Sequence, residues 1–264
     1  MQPIFVRLRK RARQIVSSFP SPDFYRDHDM AYEFSRRYFE NDSVINRLRQ
    51  FVSQNLENDF GHGMQHAVKV TVDAGALMYI EGQSIGYTKI VLKRQLSIVQ
   101  CAGLLHDIKR KKKDHSKHGA DLARKILKHY PLKSYEIRNI CRAIQNHEAF
   151  KENIHIETPE GTLISDCLYD ADKFRWGPDN FTDTLWDMIS FYNPSLEKFM
   201  SRYPQGMAGL EKIKSTFRTK TGKKYGPQFI DLGLAIGEKL YNVIQTEFSD
   251  YLLASSHNNH TSLK

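Results

Sequence analysis

The chain has 264 residues, of which 40% are hydrophobic and 26% charged, and it carries a net charge of +9. That length supports one large domain with a substantial core, and the composition excludes the disordered and fibrous classes. No apolar run is long enough to span a bilayer, because the stretch ending at Leu105 is broken by Gln95, Ser97 and Gln100, and there is no internal repeat.

Cys101, Cys141 and Cys167 are odd in number, widely spaced and set among apolar residues. This usage suits buried free thiols in a reducing compartment and excludes a disulfide framework or a CxxC zinc site. The positive charge is clustered. Arg7, Arg9, Lys10, Arg11 and Arg13 come without an acid, and residues 109–128 hold nine Lys or Arg against Asp114 and Asp121. A third run includes Lys212, Lys214, Arg218, Lys220, Lys223 and Lys224. Such patches attract nucleotides, phosphorylated metabolites, nucleic acid or acidic membrane surfaces, or serve only as solvated faces. The Arg-rich start also suits a transit peptide or a membrane-surface helix, but it has no apolar segment of secretory type. A plain first helix with Ile4, Phe5, Leu8, Ile15 and Val16 turned inward is the reading adopted, and a cytoplasmic protein is expected.

In chain order, nearly every segment has helical period, so the expected fold class is all-α. Apolar and aromatic positions at three- and four-residue steps predict helix over 30–57. A second helix over about 64–80 places His66, Val70, Ala74 and Leu77 on one face, with Gly82 as its stop. Helix follows over about 89–108 and then a basic loop. Ser116 is the expected cap of a helix that runs to Tyr130 and ends before Pro131. Ser134 starts the next, which leads to His147. Pro159 suits the first turn of a helix carrying Asp172. Asp179 or Asn180 opens another to about 191, and a long last helix covers about 227–250. "NIHIET" (153–158) is expected to be loop, and "TKTGKKYGPQ" (219–228) a surface connection.

Eleven histidines are present, eight of them between residues 62 and 155. On the helices just drawn, His66, the pair His106 and Asp107, His118, His147 and Asp172 each lie near an end, so those ends can converge. A mixed imidazole and carboxylate set suits one divalent transition metal (Mn, Fe, Co, Ni or Zn). Each assignment has a plainer alternative. His66 on an apolar face can be a core residue bonded to a carbonyl, and Asp172 can pair with Arg175, three residues on. His115, His129 and His155 read as surface residues, His257 and His260 as part of a polar tail, and His62 as a cap or a neighbour of the site. Asp170 is balanced between a supporting and a surface position.

"HGMQHAVKV", "GLLHDI" and "DADKF" together resemble the H…HD…D signature of the HD superfamily, metal-dependent phosphohydrolases of all-helical fold. The resemblance implies an HD core over about 55–190, with accessory helices over 1–54 and 191–264, in a single domain of residues 1–264. It implies that His66, His106, Asp107 and Asp172 bind the metal. His118 in "HSKHGADLA" and His147 in "AIQNHEAF" resemble further family histidines that hold a second ion or contact the scissile phosphate. Glu148 stands where a second adjacent histidine is often found, and Lys109 and Arg110 replace the Gly-Lys of the "HDIGK" variant; both depart from the dinuclear pattern.

The expected function is hydrolysis of a phosphoester of a nucleotide or another small phosphorylated compound. The metal would lower the pKa of a bound water towards ~7. Asp107 would orient that water, and protonated His118 or His147 would offset developing charge. Arg110, Lys111 and Lys173 would hold the anionic substrate. Two alternatives stay open: a non-hydrolytic nucleotide- or nucleic-acid-binding module, and a di-iron oxygenase on the same architecture. Oligomeric state is not legible in the residues.

Overall fold

The computed structural model describes residues 1–56 and 63–251. It is all-α: α1 (Pro3–Ser17), α2 (Asp23–Asp27), α3 (Asp29–Asn41), α4 (Ser43–Asn55), α5 (Met64–Ser84), α6 (Lys89–Leu105), α7 (His115–Leu127), α8 (Ser134–Gln145), α9 (Pro159–Phe174), a π-helical turn (Asn180–Thr184), α10 (Leu185–Tyr192), α11 (Leu196–Ile213) and α12 (Lys220–Glu247). Among the described residues there is no strand, and no helix is long and apolar enough to cross a membrane. Cys101, Cys141 and Cys167 are buried free thiols.

The middle of α5 and the second half of α6 are buried on every side, the pattern of helices enclosed by others. Val70, Val72, Ala74, Ala76, Leu77 and Met78 of α5 are buried, as is every residue of α6 from Leu96 to Leu105. The two helices touch through Gly103, where an added Cβ would stand 2.8 Å from the Thr71 Cα. α3, α8 and α9 pack around this pair, and α7 lies against α8. A second core joins α1, α10, α11 and α12 through Phe5, Leu8, Trp186, Phe199, Ile236 and Leu240. Trp176 and Leu234 pack against both cores.

Several boundaries differ from the sequence expectation for local reasons. The helix expected over 30–57 breaks at Asp42, whose carboxylate accepts from the N–H groups of Val44 and Ile45 at 3.0 Å and so caps α4. Gly82 does not stop α5; it lies inside the helix, where its bare Cα admits Leu92 and Tyr87. The stretch 219–228 is not a surface loop but the start of α12. There Asp170 accepts from the N–H groups of Arg218 and Thr219 and from the Thr219 hydroxyl, each at 2.8 Å. A carboxylate at a helix N-terminus is electrostatically favourable. Gly222 lets it approach, because a Cβ there would stand 2.0 Å from Asp170 Oδ2. Asp170 therefore belongs to neither alternative raised above: it is buried and anchors α12 to α9. The "NIHIET" stretch is loop, held by Asn146, which accepts from the Ile154 N–H and donates to the Ile154 carbonyl, both at 2.8 Å.

Candidate metal centre

Five helix ends converge. His66 sits in the first turn of α5, His106 and Asp107 directly follow α6, and His115 opens α7. His147 follows the end of α8, and Asp172 lies in the last turn of α9. All six side chains are buried. The cause is local at each end. His106 and His147 turn Nδ1 back onto the carbonyls of Gly103 (2.7 Å) and Ile144 (2.6 Å), three residues earlier, satisfying carbonyls that the helix end leaves over. A carbonyl only accepts, so Nδ1 carries the hydrogen in both rings and Nε2 presents its lone pair. α7 meets the end of α6 at Gly119, where a Cβ would be in ordinary van der Waals contact, 3.4 Å, with the His106 carbonyl oxygen.

Asp107 lies at the centre. Its Oδ2 is 3.4 Å from His106 Nε2 and 3.8 Å from His66 Nε2; its Oδ1 is 3.3 Å from His115 Nε2 and 3.4 Å from His147 Nε2. Asp172 Oδ1 faces His66 at 3.3 Å and His106 at 3.8 Å. The ring nitrogens also face each other, His66 and His106 at 3.2 Å, His115 and His147 at 3.3 Å. Two donor groups result, His66–His106–Asp107 and Asp107–His115–His147, each with its ligand atoms within 4.8 Å of one another. Lone pairs and carboxylate oxygens crowded together below the surface repel unless a cation lies among them. Neutral imidazole nitrogen with carboxylate oxygen is the donor chemistry of divalent transition metals, so these residues fit such an ion.

The local field is consistent with that arrangement. Burial opposes ionisation of Asp172, but the adjacent Lys173 ammonium, together with His66 and His106, holds its pKa well below the usual carboxylate range. Burial likewise disfavours charge on His106, yet Asp107 outweighs it and the pKa rises; at His147 burial prevails and the pKa falls. Arg110 donates to His115 Nε2 at 2.7 Å.

Of the residues singled out from sequence, the structure brings together His66, His106, Asp107, His147 and Asp172, with Arg110 and Lys173 beside them. Lys173 is buried, donates to the His147 carbonyl at 3.0 Å and pairs with Asp172 Oδ2. His118 and Lys111 are exposed and stand outside the cluster. His115, which reads as a surface residue, occupies the place expected of His118. On α7 the four-residue series His115, Gly119, Ala123 and Leu127 is the buried face, and His118 falls off it. That series was the available signal. Arg175 does not pair with Asp172; it pairs with Asp73 and Asp179, and Tyr25 donates to Asp73 at 2.9 Å. Asp172 is thereby left to Lys173, on Oδ2, and to His66 and His106, on Oδ1. His129 and His155 are exposed, while His62, His257 and His260 lie outside the described residues.

His66, Asp107 and Asp172 form part of the floor of a cavity of about 470 Å³, with Arg110 and Lys173 beside them. Its opposite wall comes from Trp176, Phe181, Leu185, Met188, Met207 and Leu210, largely from the accessory helices that follow α9.

Residues 63–176 match the family model described as HD domain. No curated protein and no solved structure matches the chain.

Proposed function

We propose that this chain, whose residues 63–176 match the HD domain family model, is a metal-dependent phosphohydrolase acting on a small phosphorylated substrate. The observation that carries this reading is the convergence of His66, Asp107 and Asp172, with His106 buried behind them, at a cavity that also presents Arg110 and Lys173. A bound divalent ion would supply Lewis acidity towards a phosphoryl oxygen and a nucleophilic water near neutral pH.

The chain's own residues then have separate tasks. His66, His106, Asp107 and Asp172 hold the ion. His115 and His147, facing the other oxygen of Asp107, form the second donor group, with His115 in the role expected of His118. Asp107 orients the attacking water. The water oxygen bonds to phosphorus, the ester P–O bond breaks, and the departing alcohol oxygen takes up a proton. His147 Nε2, 3.4 Å from Asp107 Oδ1, is placed to hold the proton that the water releases. Arg110 binds phosphoryl oxygens at the cavity floor. Lys173 acts chiefly on Asp172, keeping that ligand ionised. Lys111, outside the cavity, contributes only to the field that gathers anions.

The test is elemental analysis and phosphate release on purified wild type, His106→Ala and Asp107→Ala. The expected result is bound transition metal and turnover in wild type, with both lost in each folded variant. Full phosphate release by either variant would sink the mechanism. The two donor groups sharing Asp107 also suit the di-iron oxygenase alternative, which two equivalents of iron with oxygen consumption and no phosphate release would select.

A further inference from the structure

The cavity is much larger than a phosphoryl group needs, and its two sides differ in chemistry. The metal-ligating groups, with Arg110 and Lys173, are contributed by the HD segment, while the accessory side adds one cation, Arg202. The wall opposite the floor is otherwise apolar: Trp176, Phe181, Leu185, Met188, Met207 and Leu210. Away from the floor the polar lining side chains are Glu148, Arg175, Asn180, Thr184, Arg202 and Tyr203. Three of these are already engaged, since Tyr203 donates to the Gly237 carbonyl at 2.8 Å, Glu148 pairs with Lys151 at 2.8 Å, and Arg175 pairs with Asp73 and Asp179. A sugar or polyol carrying several hydroxyls would bury more polar groups here than the wall can satisfy. Phe150 also lines the cavity, 66% exposed and held at φ 61°, a backbone conformation that bulky side chains rarely adopt. It adds a further apolar surface to the lining.

We infer that the substrate is a phosphate monoester of an apolar alcohol, an amphiphile whose anionic head lies on the Asp107 floor and whose hydrocarbon body lies against Phe181, Met188 and Leu210. The inference rests on the phosphohydrolase reading of the same site. In the reaction, water provides the new P–O bond and one proton, the bond from phosphorus to the alkyl oxygen breaks, and the apolar alcohol leaves with that proton. Substrate selection then belongs to the accessory helices and not to the HD segment.

Binding can be measured apart from turnover, with alkylphosphonates, whose P–C bond is not a phosphoester. Ethyl-, butyl- and hexylphosphonate are titrated calorimetrically into the full-length, metal-loaded protein. Each buried methylene should tighten binding roughly three- to fourfold, so hexylphosphonate should bind about a hundredfold more tightly than ethylphosphonate. Met188→Gln, of similar shape on a half-buried position, should reduce that gain several-fold. Affinities within threefold across the series would overturn the inference, as would tighter binding of adenosine monophosphate or glycerol 3-phosphate than of hexylphosphonate. Phosphate release from hexyl phosphate is scored separately. A steep chain-length dependence without release from any ester would remove the hydrolase reading and keep the amphiphile site. Release without chain-length dependence would do the reverse.

Discussion

The His115 ring touches Asp107, His147 and Arg110, whereas the His118 ring, three residues along the same helix, is exposed. Replacing His118 by alanine should therefore leave metal content and phosphate release unchanged. His115→Ala should weaken metal affinity by roughly 10–100-fold, the range seen when a group bonded to a metal site is removed. Titration of the apo protein with Mn or Zn, followed by thermal unfolding, measures both. Equal loss in the two variants would show that α7 is placed wrongly. Metal-site chemistry was readable in "HGMQHAVKV", "GLLHDI" and "DADKF" because ligand types recur there beside apolar runs. The choice between His115 and His118 turns on helix register. The basic run 109–113 obscures where α7 begins, and Asp114, at φ 54°, starts it two residues earlier than a Ser116 cap implies. Arg175 illustrates the same limit: its spacing from Asp172 suits a helical ion pair, yet its partners come from α5 and from Asp179. No local pattern announces a partner a hundred residues away.

Elements hold these residues in place through their ends, and α8 provides a test. Its third residue, Glu136, accepts from the Lys133 N–H at 2.6 Å and pairs with Arg94 of α6, with Arg94 Nε at 2.7 Å. The cap and the ion pair thus tie α8, which carries His147, to α6, which carries His106. Burial alone would raise the Glu136 pKa, but Arg94 and the Lys133 N–H outweigh it, and the value falls below its ordinary 4.5. A carboxylate with a depressed folded pKa contributes stability fully above the unfolded value, and that contribution is lost as pH falls through the folded one. Glu136→Gln should cost about 1 kcal/mol near pH 7, since it removes the charge from a partly buried pair and leaves the half-exposed Arg94 without it. Below pH 4.5 the gap between wild type and variant should narrow, because the unfolded carboxyl takes up its proton there first and the folded one follows only as pH falls through its lower pKa. Urea unfolding at pH 7 and pH 3.5 reads the difference; a gap that is constant or widens in acid would show that the charge is not what matters. The helix types were legible from their periods, α8 included. The start of α12 was not: its Gly, Lys and Pro content is that of a surface connection, and only the buried Asp170 carboxylate, delivered by α9, makes helix the better state there.

At the scale of the whole molecule, the donors run from His66 to Asp172 across five helices, so an unfolded chain cannot present them together. An ion that binds only the native state stabilises it by mass action, about 2.7 kcal/mol at a free concentration a hundred times Kd. For a chain of this size that corresponds to roughly 5–10 °C in Tm. The gain should shrink below pH ~6.5, because the imidazoles must lose their protons to bind. None of the donors lies in the second core, which α1, α10, α11 and α12 build, but Trp176 and Leu234 pack against both cores. Trp186 is buried in the second core and Trp176 lies at the junction, so tryptophan fluorescence follows the accessory layer while circular dichroism follows all helices. If residues 1–264 form one cooperative unit, a chelator should lower both transitions by the same number of degrees. A fluorescence transition unmoved by chelation, beneath a shifted helical one, would mean that the accessory helices unfold by themselves. The cavity would then be closed by a wall that opens without disturbing its floor.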